Sequence, residues 1–316
     1  MYQDRNIAVV IPAHNEEKLI GRTIETMPDY IDKLIVVNDA SKDGTQQVVE
    51  SLKEQMEDRL ISITHQRNIG VGGSIKTGYR KSMELNMDIT LVMAGDGQMD
   101  PDQIPSLLDP IVEGEADYTK GNRLSHPEVL KMPRIRRIGN SILTLLTKIA
   151  SGYWGIIDPQ NGYTAISKKA LVEMNLENVY DGYGCPNDIL IELNIQEIKV
   201  KNVQMPPIYG EEKSGIKIGR YSFLVGWLLL KGFFRRINSK YGGLHFHPLW
   251  LFYFSGIGLL SFGTIHSAIL VYYRLFHGTI STSTIMIPIL FLIIGYLSIL
   301  FAFLFDMMES KELLVK

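Results

Sequence analysis

Two long runs without charged side chains, both near the C-terminus, limit what this chain can fold into. Pro248–Tyr273 and Ile285–Phe305 contain no Lys, Arg, Asp or Glu and are about 26 and about 21 residues long. A helix of roughly 20 apolar residues spans the hydrocarbon core of a bilayer. Two buried helices of a soluble core are the alternative, but helices that are apolar all round offer no polar face to water. The pattern predicts a transmembrane helical hairpin.

Basic residues on one flank predict how this hairpin is oriented. Between Lys213 and His247 the chain holds seven Lys or Arg and no acid. An excess of Lys and Arg is typical of cytoplasmic loops. Two spans return the chain to the side from which it entered. We therefore expect a multi-pass protein of the cell membrane, with the N-terminal region and the short C-terminal tail in the cytoplasm.

The chain before these runs alternates between two kinds of segment. Short apolar runs rich in β-branched residues predict buried strands, and the longer stretches between them predict helices. This alternation is typical of an α/β domain with a mostly parallel sheet and helices on both faces. The predicted strands are Ile7–Ile11, Leu34–Val37, Leu60–Thr64 and Ile89–Met93. The predicted helices are Glu16–Met27, Thr45–Met56 and Val71–Leu85.

These patterns divide the chain into three predicted regions. We expect the α/β domain over residues 1–215, an interfacial amphipathic region over 216–245, and the hairpin with its tail over 246–316. In the middle region, aromatic residues of Tyr221–Tyr241 stand beside Lys and Arg, which is typical of a helix lying in the membrane interface. A core helix is the alternative. The single Cys185 suits a reducing compartment, and the polar start Met1–Arg5 predicts no signal peptide.

Every predicted strand is followed by a polar segment. The carboxyl ends of parallel strands lie at one edge of a sheet, where ligands bind in open α/β folds. Four such segments together predict a binding site at that edge. The segments are Pro12–Glu17, Asn38–Thr45, Arg67–Gly73 and Ala94–Pro101.

Acids in these segments have both ligand-binding and structural interpretations. Asp96 and Gln98 offer oxygen ligands of the kind that Mg²⁺ and Mn²⁺ share with phosphates, whereas a hydrogen-bonded turn with Asp100 as a helix cap is the alternative. Asp39 ends its strand like acids that bind ribose hydroxyls, or it caps the next turn. Glu16 caps the first helix or binds a base or ribose.

Two further segments suggest anion binding. Gly70–Thr77 imitates a phosphate loop, but Ile75 stands where that motif requires glycine. Its glycines either approach a phosphate or pack a helix on the sheet. Five basic residues form either a solvated face or a site for phosphates or acidic lipid head groups. The apolar stretch Ile138–Ala150 that follows them suits the binding of a molecule with a lipid tail. These basic residues are Arg123, Lys131, Arg134, Arg136 and Arg137.

Taken together, the motifs resemble those of GT-A fold, family 2 glycosyltransferases. The branch that they resemble most contains dolichyl-phosphate mannose synthase and related polyprenyl-phosphate glycosyltransferases. The resemblance covers about residues 6–215 by motif and the rest by architecture. The motifs are Val10–Glu16, Val37–Thr45, Asn68–Gly72 and Gly121–Arg123.

The resemblance implies a set of site residues. Residues implied to line the nucleotide are Pro12, His14, Asn15, Glu16 and Asp39. Residues implied to bind the metal, Mg²⁺ or Mn²⁺, with the diphosphate are Asp96 and Gln98. Residues implied to hold the phosphates of donor and acceptor are Arg123, Arg137, Ser141, Lys213 and Ser214. Residues implied to have catalytic roles are Asp96, Asp158, which lies in a segment facing the sugar, and Asp188, which would contact the sugar or the base.

Two segments depart from the pattern of this family. Ala94 replaces the first acid of the usual Asp-X-Asp motif, so metal binding would depend on Asp96 and Gln98. Gly184–Asp188 replaces a more acidic stretch near the sugar. Both departures lead away from the mannose synthases, which favours a UDP-sugar over GDP-mannose as the donor.

The expected activity is inverting transfer of a sugar from a nucleoside-diphosphate sugar to a polyprenyl or dolichyl phosphate. A processive polysaccharide synthase is one alternative, but this chain lacks the Gln-x-x-Arg-Trp motif and the additional spans of those enzymes. A non-catalytic protein that binds nucleotide sugars at the membrane is the other, because Ala94 weakens the metal motif. We expect no nucleic-acid partner, and a homo-oligomer is compatible with the sequence.

Overall fold

The computed structural model describes residues 1–124, 134–206, 218–242 and 247–315. These residues form two compact units. One comprises Met1–Phe233 together with the tail Glu312–Lys316, and the other comprises Phe234–Lys311. The predicted limits of the three regions stay a prediction.

The first unit is built on a sheet of eight strands in the order β3-β2-β1-β4-β6-β5-β7-β8. Only β6 runs antiparallel to its neighbours β4 and β5, and the other pairs are parallel. The mostly parallel sheet predicted from the sequence is therefore confirmed. The strands are β1 (Ile7–Ala13), β2 (Lys33–Asn38), β3 (Leu60–Thr64), β4 (Ile89–Val92), β5 (Tyr118–Asn122), β6 (Thr164–Ser167), β7 (Val200–Gln204) and β8 (Leu314–Val315).

Ten α-helices lie within the described residues. The predicted helix Thr45–Met56 is confirmed at both ends, and the predicted helix Val71–Leu85 ends one residue earlier. The first helix begins four residues later than predicted and ends two residues earlier. The helices are α1 (Ile20–Glu25), α2 (Thr45–Met56), α3 (Val71–Glu84), α4 (Ile104–Val112), α5 (Arg134–Ser151), α6 (Lys168–Glu173), α7 (Cys185–Ile195), α8 (Ile218–Tyr241), α9 (Pro248–Phe276) and α10 (Thr282–Glu309).

Each face of the sheet carries its own hydrophobic core. Successive side chains of a strand point to opposite faces, and in β1 Val9 joins one core while Val10 joins the other. Residues of α1, α2 and α4 complete the first core. Residues of α3, α6 and α7 complete the second. The central strands are thus covered on both sides, which leaves their ends as the accessible part of the sheet.

Helices α9 and α10 form the helical hairpin of the second unit. Both are long and apolar enough to cross a membrane by length and composition. Their backbones approach closely at two glycines: a Cβ on Gly295 would lie 2.8 Å from the amide nitrogen of Leu260, and a Cβ on Gly256 would lie 3.1 Å from the carbonyl oxygen of Gly295. Small residues at such crossings permit close packing of helices in lipid.

A buried ion pair joins the end of α8 to this hairpin within the second unit. The Arg236 guanidinium donates to both carboxylate oxygens of Asp306, at 2.7 and 2.8 Å. Both side chains are fully buried. The Tyr253 hydroxyl of α9 donates to the same carboxylate at 3.4 Å. Three helices of this unit therefore meet at one charged contact.

We expect Asp306→Asn to destabilise the second unit strongly, because it leaves the Arg236 charge buried without its counter-charge. Removing one partner of a buried pair typically costs about 3–5 kcal/mol. Thermal unfolding of the purified protein in detergent measures the loss. The control is Glu309→Gln, which changes an exposed side chain one turn further along α10. Equal melting temperatures for the two variants would contradict the importance of the pair.

Candidate active site

The polarity of the sheet brings the predicted site segments to one edge. β1 to β5 all point the same way, so the segments that follow them begin at the same edge. Because β6 is antiparallel, the segment before it, which contains Asp158, also reaches this edge. Strand order reverses at β1, with β2 on one side and β4 on the other. Such a reversal opens the crevice in which ligands of open α/β sheets bind.

The loops after β1 and β2 are joined by backbone-to-side-chain hydrogen bonds. The Asn15 amide donates to the Ser41 hydroxyl at 3.0 Å, and the Lys42 amide donates to the Asn15 side chain at 2.8 Å. The Glu16 amide donates to the Thr45 hydroxyl at 2.8 Å. Asn15 adopts a φ of 59°, which turns the chain at this point. Ser41 and Thr45 therefore hold the loop after β1 against the loop after β2.

Three of the residues predicted to contact the nucleotide belong to the loop after β1 and its approach, and they differ in how exposed they are. His14 is exposed, with its Nδ1 2.7 Å from the Asp39 carbonyl oxygen and 3.2 Å from the Asn68 side-chain nitrogen. Pro12 is buried, and its carbonyl accepts from the Gly95 amide at 3.2 Å. Glu16 is half-buried. The loop that carries Asp96 therefore lies directly beside the first predicted nucleotide segment.

The Asp39 carboxylate turns inward and binds the loop after β3. Its oxygens accept from the amides of Ile69 and Gly70 at 2.9 and 2.8 Å, and its Oδ1 lies 2.9 Å from Nδ1 of His65. Only 3% of the residue is exposed. The geometry thus gives Asp39 a role in shaping the loop, and its contact with a nucleotide stays a prediction.

The glycine-rich stretch that imitates a phosphate loop packs against another loop of the same unit. Gly70 has a φ of +94°, which favours glycine. A Cβ on Gly72 would lie 2.2 Å from the carbonyl oxygen of Tyr180. The Gly73 amide donates to the Asp181 carbonyl at 3.0 Å. These glycines therefore serve close packing at the start of α3.

The loop after β4 presents Asp96 as a partly buried acid. Its Oδ1 accepts from the Gln98 amide at 3.0 Å across a turn in which Gly97 has a φ of +66°. Burial raises the pKa of Asp96, while the Gln98 amide and the positive charge of Arg123 oppose this shift. Asp100 caps the following turn by accepting from the Asp102 amide at 3.0 Å. These two contacts are those of the structural alternative, a hydrogen-bonded turn with Asp100 as the cap, and metal binding by Asp96 stays a prediction.

The donor set around Asp96 fits a hard divalent cation. A carboxylate and the side-chain oxygen of Gln98 are ligands of the type that Mg²⁺ and Mn²⁺ take, usually completed by phosphate and water. Within the described residues, no three His, Cys, Asp or Glu side chains gather into a metal cluster. Asp96 and Gln98 would therefore hold the ion only together with the substrate.

An ion pair occupies the edge between β5 and β6. Arg123 donates to the Asp158 carboxylate from Nε at 2.9 Å, from a terminal nitrogen at 3.4 Å and from its backbone amide at 3.3 Å. Asp158 is 2% exposed, whereas 39% of the Arg123 side chain is exposed. A guanidinium has five N–H donors, and Asp158 takes two of them. Asp158 therefore orients an arginine whose outer part faces solvent.

A buried lysine that the sequence interpretation missed lies beneath this pair. Lys120 on β5 is fully buried and donates to the carbonyl oxygen of Asn161, in the turn that follows Asp158. Burial lowers its pKa to about 8, against the opposing effect of the Asp158 carboxylate. The only signal in the sequence is a lysine inside a segment that otherwise forms a buried strand.

Gln160 connects the turn after Asp158 to two helices. Its side-chain nitrogen lies 2.7 Å from Oδ1 of Asn187 on α7, and the Thr147 hydroxyl of α5 donates to the same oxygen at 3.1 Å. Asp188, the next residue on α7, is buried and accepts from the Tyr180 amide at 2.8 Å. This contact gives Asp188 a structural role, and its predicted role at the sugar stays a prediction.

The remaining predicted phosphate ligands lie on α5 or outside the described residues. The exposed Ser141 donates its hydroxyl to the carbonyl of Arg137 at 3.0 Å. Lys213 and Ser214 fall in the segment 207–217, outside the described residues. Their predicted roles, like that of Arg137, stay predictions.

Comparison with known proteins assigns the family of this chain. A sequence model described as Glycosyl transferase family 2 matches residues 8–174. A UDP-N-acetylglucosamine–dolichyl-phosphate N-acetylglucosaminyltransferase of Methanococcus voltae is 33% identical over 218 residues, which cover 63% of this chain and 86% of that protein. An undecaprenyl-phosphate mannosyltransferase of Micrococcus luteus is 26% identical over 214 residues, covering 66% and 85%. The chain belongs to glycosyl transferase family 2.

A solved structure supports the same fold. Glucosyl-3-phosphoglycerate synthase from Mycobacterium tuberculosis, in complex with Mn²⁺, UDP and glucosyl-3-phosphoglycerate, superposes with a TM-score of 0.55 at 21% identity. The match covers 72% of this chain and 80% of that one. The GT-A resemblance seen in the sequence is thereby confirmed at the level of fold.

The pKa of Lys120 predicts how stability depends on pH. A folded-state pKa of about 8 lies below the usual value of 10.5, so between these values the unfolded chain holds a proton that the folded chain has released. The free energy of unfolding should therefore rise as pH increases from 8 to 10, by up to about 3 kcal/mol from this group. Lys120→Met should remove this rise.

Thermal unfolding in detergent at several pH values tests the prediction. The matched control is Lys169→Met, which changes an exposed lysine. Wild-type protein and the control should gain stability relative to Lys120→Met as pH increases. Parallel curves for all three proteins would contradict a buried ammonium at residue 120.

Proposed function

We propose that this protein transfers a sugar, with inversion, from a UDP-sugar to a polyprenyl phosphate at the cytoplasmic face of the membrane. The observation that carries the proposal is the arrangement at the sheet edge. Asp96 lies near enough to Arg123 for the arginine's charge to lower its pKa. The acid proposed to bind the cation and the arginine proposed to bind phosphate would then share this edge of the sheet, beside the predicted nucleotide segments.

The donor would bind on the side of β1 and β4. The exposed His14 and the half-buried Glu16 would contact the nucleoside, in loops already fixed by hydrogen bonds to the chain after β2. Asp96 and Gln98 would approach the diphosphate. A divalent cation bound there would neutralise the diphosphate and stabilise it as a leaving group.

The acceptor phosphate would bind at Arg123. Arginine binds phosphate through paired N–H donors, and Asp158 fixes the orientation of the guanidinium from behind. The acceptor is already an anion near neutral pH, so it needs little help from a general base. Its oxygen would form the new bond to the anomeric carbon as the bond from that carbon to the diphosphate breaks. The chain would contribute by positioning two anionic substrates that repel each other.

Apolar surfaces support an acceptor that resides in lipid. On α5, Ile142 and Leu145 are exposed by 57% and 54%, and on α8, Phe223 and Trp227 are exposed by 81% and 65%. Exposed aromatic and aliphatic side chains on helices are typical of interfacial membrane contact. The excess of Lys and Arg before α9 favours a cytoplasmic location for these surfaces.

The C-terminal strand also supports this topology. β8 follows α10 and pairs with β7 of the first unit. If α9 and α10 span the membrane, the chain must return to the side on which the sheet lies. An even number of spans is the arrangement that the sequence predicts.

N-acetylglucosamine is the proposed sugar because of one relative. The Methanococcus voltae enzyme, by its name, uses UDP-N-acetylglucosamine and dolichyl phosphate, and it is 33% identical to this chain. The departures from the mannose synthases at Ala94 and near Asp188 agree with a UDP-sugar.

A donor panel tests this choice: purified protein in vesicles with polyprenyl phosphate and Mg²⁺ or Mn²⁺ receives labelled UDP-N-acetylglucosamine, UDP-glucose or GDP-mannose. Labelled lipid should form best with UDP-N-acetylglucosamine, and folded protein that is inactive with every donor would refute the proposal.

The role of Asp96 gives a second test. Asp96→Asn should lower kcat/KM for the UDP-sugar at least about 100-fold, a magnitude typical for loss of a group that stabilises developing charge. The matched control is Asp100→Asn in the same loop, whose carboxylate caps a turn. The control should keep activity within a few-fold. Near-normal turnover by Asp96→Asn would contradict the metal assignment.

A further inference from the structure

The C-terminal strand β8 completes the edge of the sheet on which the site is built. Leu314 pairs with Val200 and Val315 with Lys201, in parallel register. Without β8, the strand β7 would be the edge of the sheet. Only residues 310–313 separate β8 from the end of α10. The hairpin of the second unit is therefore followed directly by a strand of the first.

The side chain of Leu314 packs directly against Gly155. A Cβ placed on Gly155 would lie 2.0 Å from a terminal methyl carbon of Leu314, so a side chain at residue 155 would force the Leu314 side chain out of the position it occupies here. Gly155 does not have a positive φ, and its backbone would accept alanine. The close approach at Gly155 therefore involves the Leu314 side chain rather than a strained backbone.

Gly155 begins the segment that carries Asp158. Its carbonyl oxygen accepts from the Asn202 side chain on β7 at 3.0 Å. Two residues earlier, the Tyr153 hydroxyl donates to the Ile198 carbonyl at 2.6 Å. Three residues later, Asp158 binds Arg123. The packing of Leu314 thus acts on a short segment fixed at one end to the chain around β7 and at the other to the proposed phosphate-binding arginine.

We propose that Leu314 is a positioning residue for the acceptor site, acting through Gly155 and Asp158 on Arg123. The C-terminal strand thereby connects the end of the membrane hairpin to the group that receives the lipid phosphate. This inference rests on the proposed function for the role of Arg123. The contact itself does not depend on which substrate is bound, so it can be tested without turnover.

A double-mutant cycle between residues 155 and 314 is the decisive experiment. Gly155→Ala places a methyl group against Leu314, and Leu314→Ala removes the side chain that it meets. We expect Gly155→Ala to lower kcat/KM for lipid phosphate about tenfold and Leu314→Ala several-fold, with KM for the UDP-sugar unchanged. The double variant should be more active and more stable than Gly155→Ala alone, since residues in contact give non-additive effects.

A second variant and a matched control keep the test independent of folding. The chain shortened to end at Lys311 lacks β8 and should show the same loss for lipid phosphate, with faster hydrogen exchange at the amides of β7. Gly226→Ala is the control, because a Cβ there meets nothing within 4 Å. It should behave as wild type in every measurement.

The outcomes separate this inference from the proposed function. Additive effects on thermal stability in the cycle would overturn the contact, whatever the wild-type activity is. Coupled stabilities with unchanged kinetics for lipid phosphate in the shortened chain would overturn the positioning role. A wild-type protein without transfer activity would refute the proposed function, while the stability cycle and hydrogen exchange would still test the contact.

Discussion

The direction of the strands is the constraint on which the rest of this structure depends. Seven of the eight strands point toward one edge and β6 points away from it, so the segments after β1 to β5 meet there with the segment before β6. Residues as distant in sequence as His14 and Asp158 reach that edge for this reason alone. The reversal of strand order at β1 leaves a crevice between the β2 and β4 sides. The proposed donor and acceptor sites divide this edge between them.

The sequence predicts the regular part of the fold well because that part follows from local patterns. The helix over Thr45–Met56 and the strand over Leu60–Thr64 agree with prediction at both ends. The first helix is an informative exception. It begins at Ile20, four residues later than predicted, after a turn in which the Glu16 amide donates to the Thr45 hydroxyl, a contact between residues far apart in sequence. Local propensity carries no information about such a partner.

The sequence predicts the site less well than the fold, because a motif does not show which way its side chains point. Asp39 and Asp96 both follow strands and cannot be told apart by sequence, yet Asp39 binds backbone amides of a neighbouring loop while Asp96 binds an amide of its own turn. No sequence pattern marks Lys120, and its hydrogen bond to the Asn161 carbonyl oxygen is visible only in the structure. β8 has only two residues, which is too short for any periodic signal.

Two segments of the chain, α8 and β8, lead from the sheet unit to the two helices that are long and apolar enough to cross a membrane. An acceptor anchored in lipid would explain why a sugar-transfer domain carries both. The most direct measurement identifies the released nucleotide together with the lipid product. Polyprenyl phosphate and the UDP-sugar should give a lipid-phosphate-sugar, with UDP released in equal amount. Release of UMP, with a lipid diphosphate-sugar as product, would contradict attack of the acceptor phosphate on the anomeric carbon.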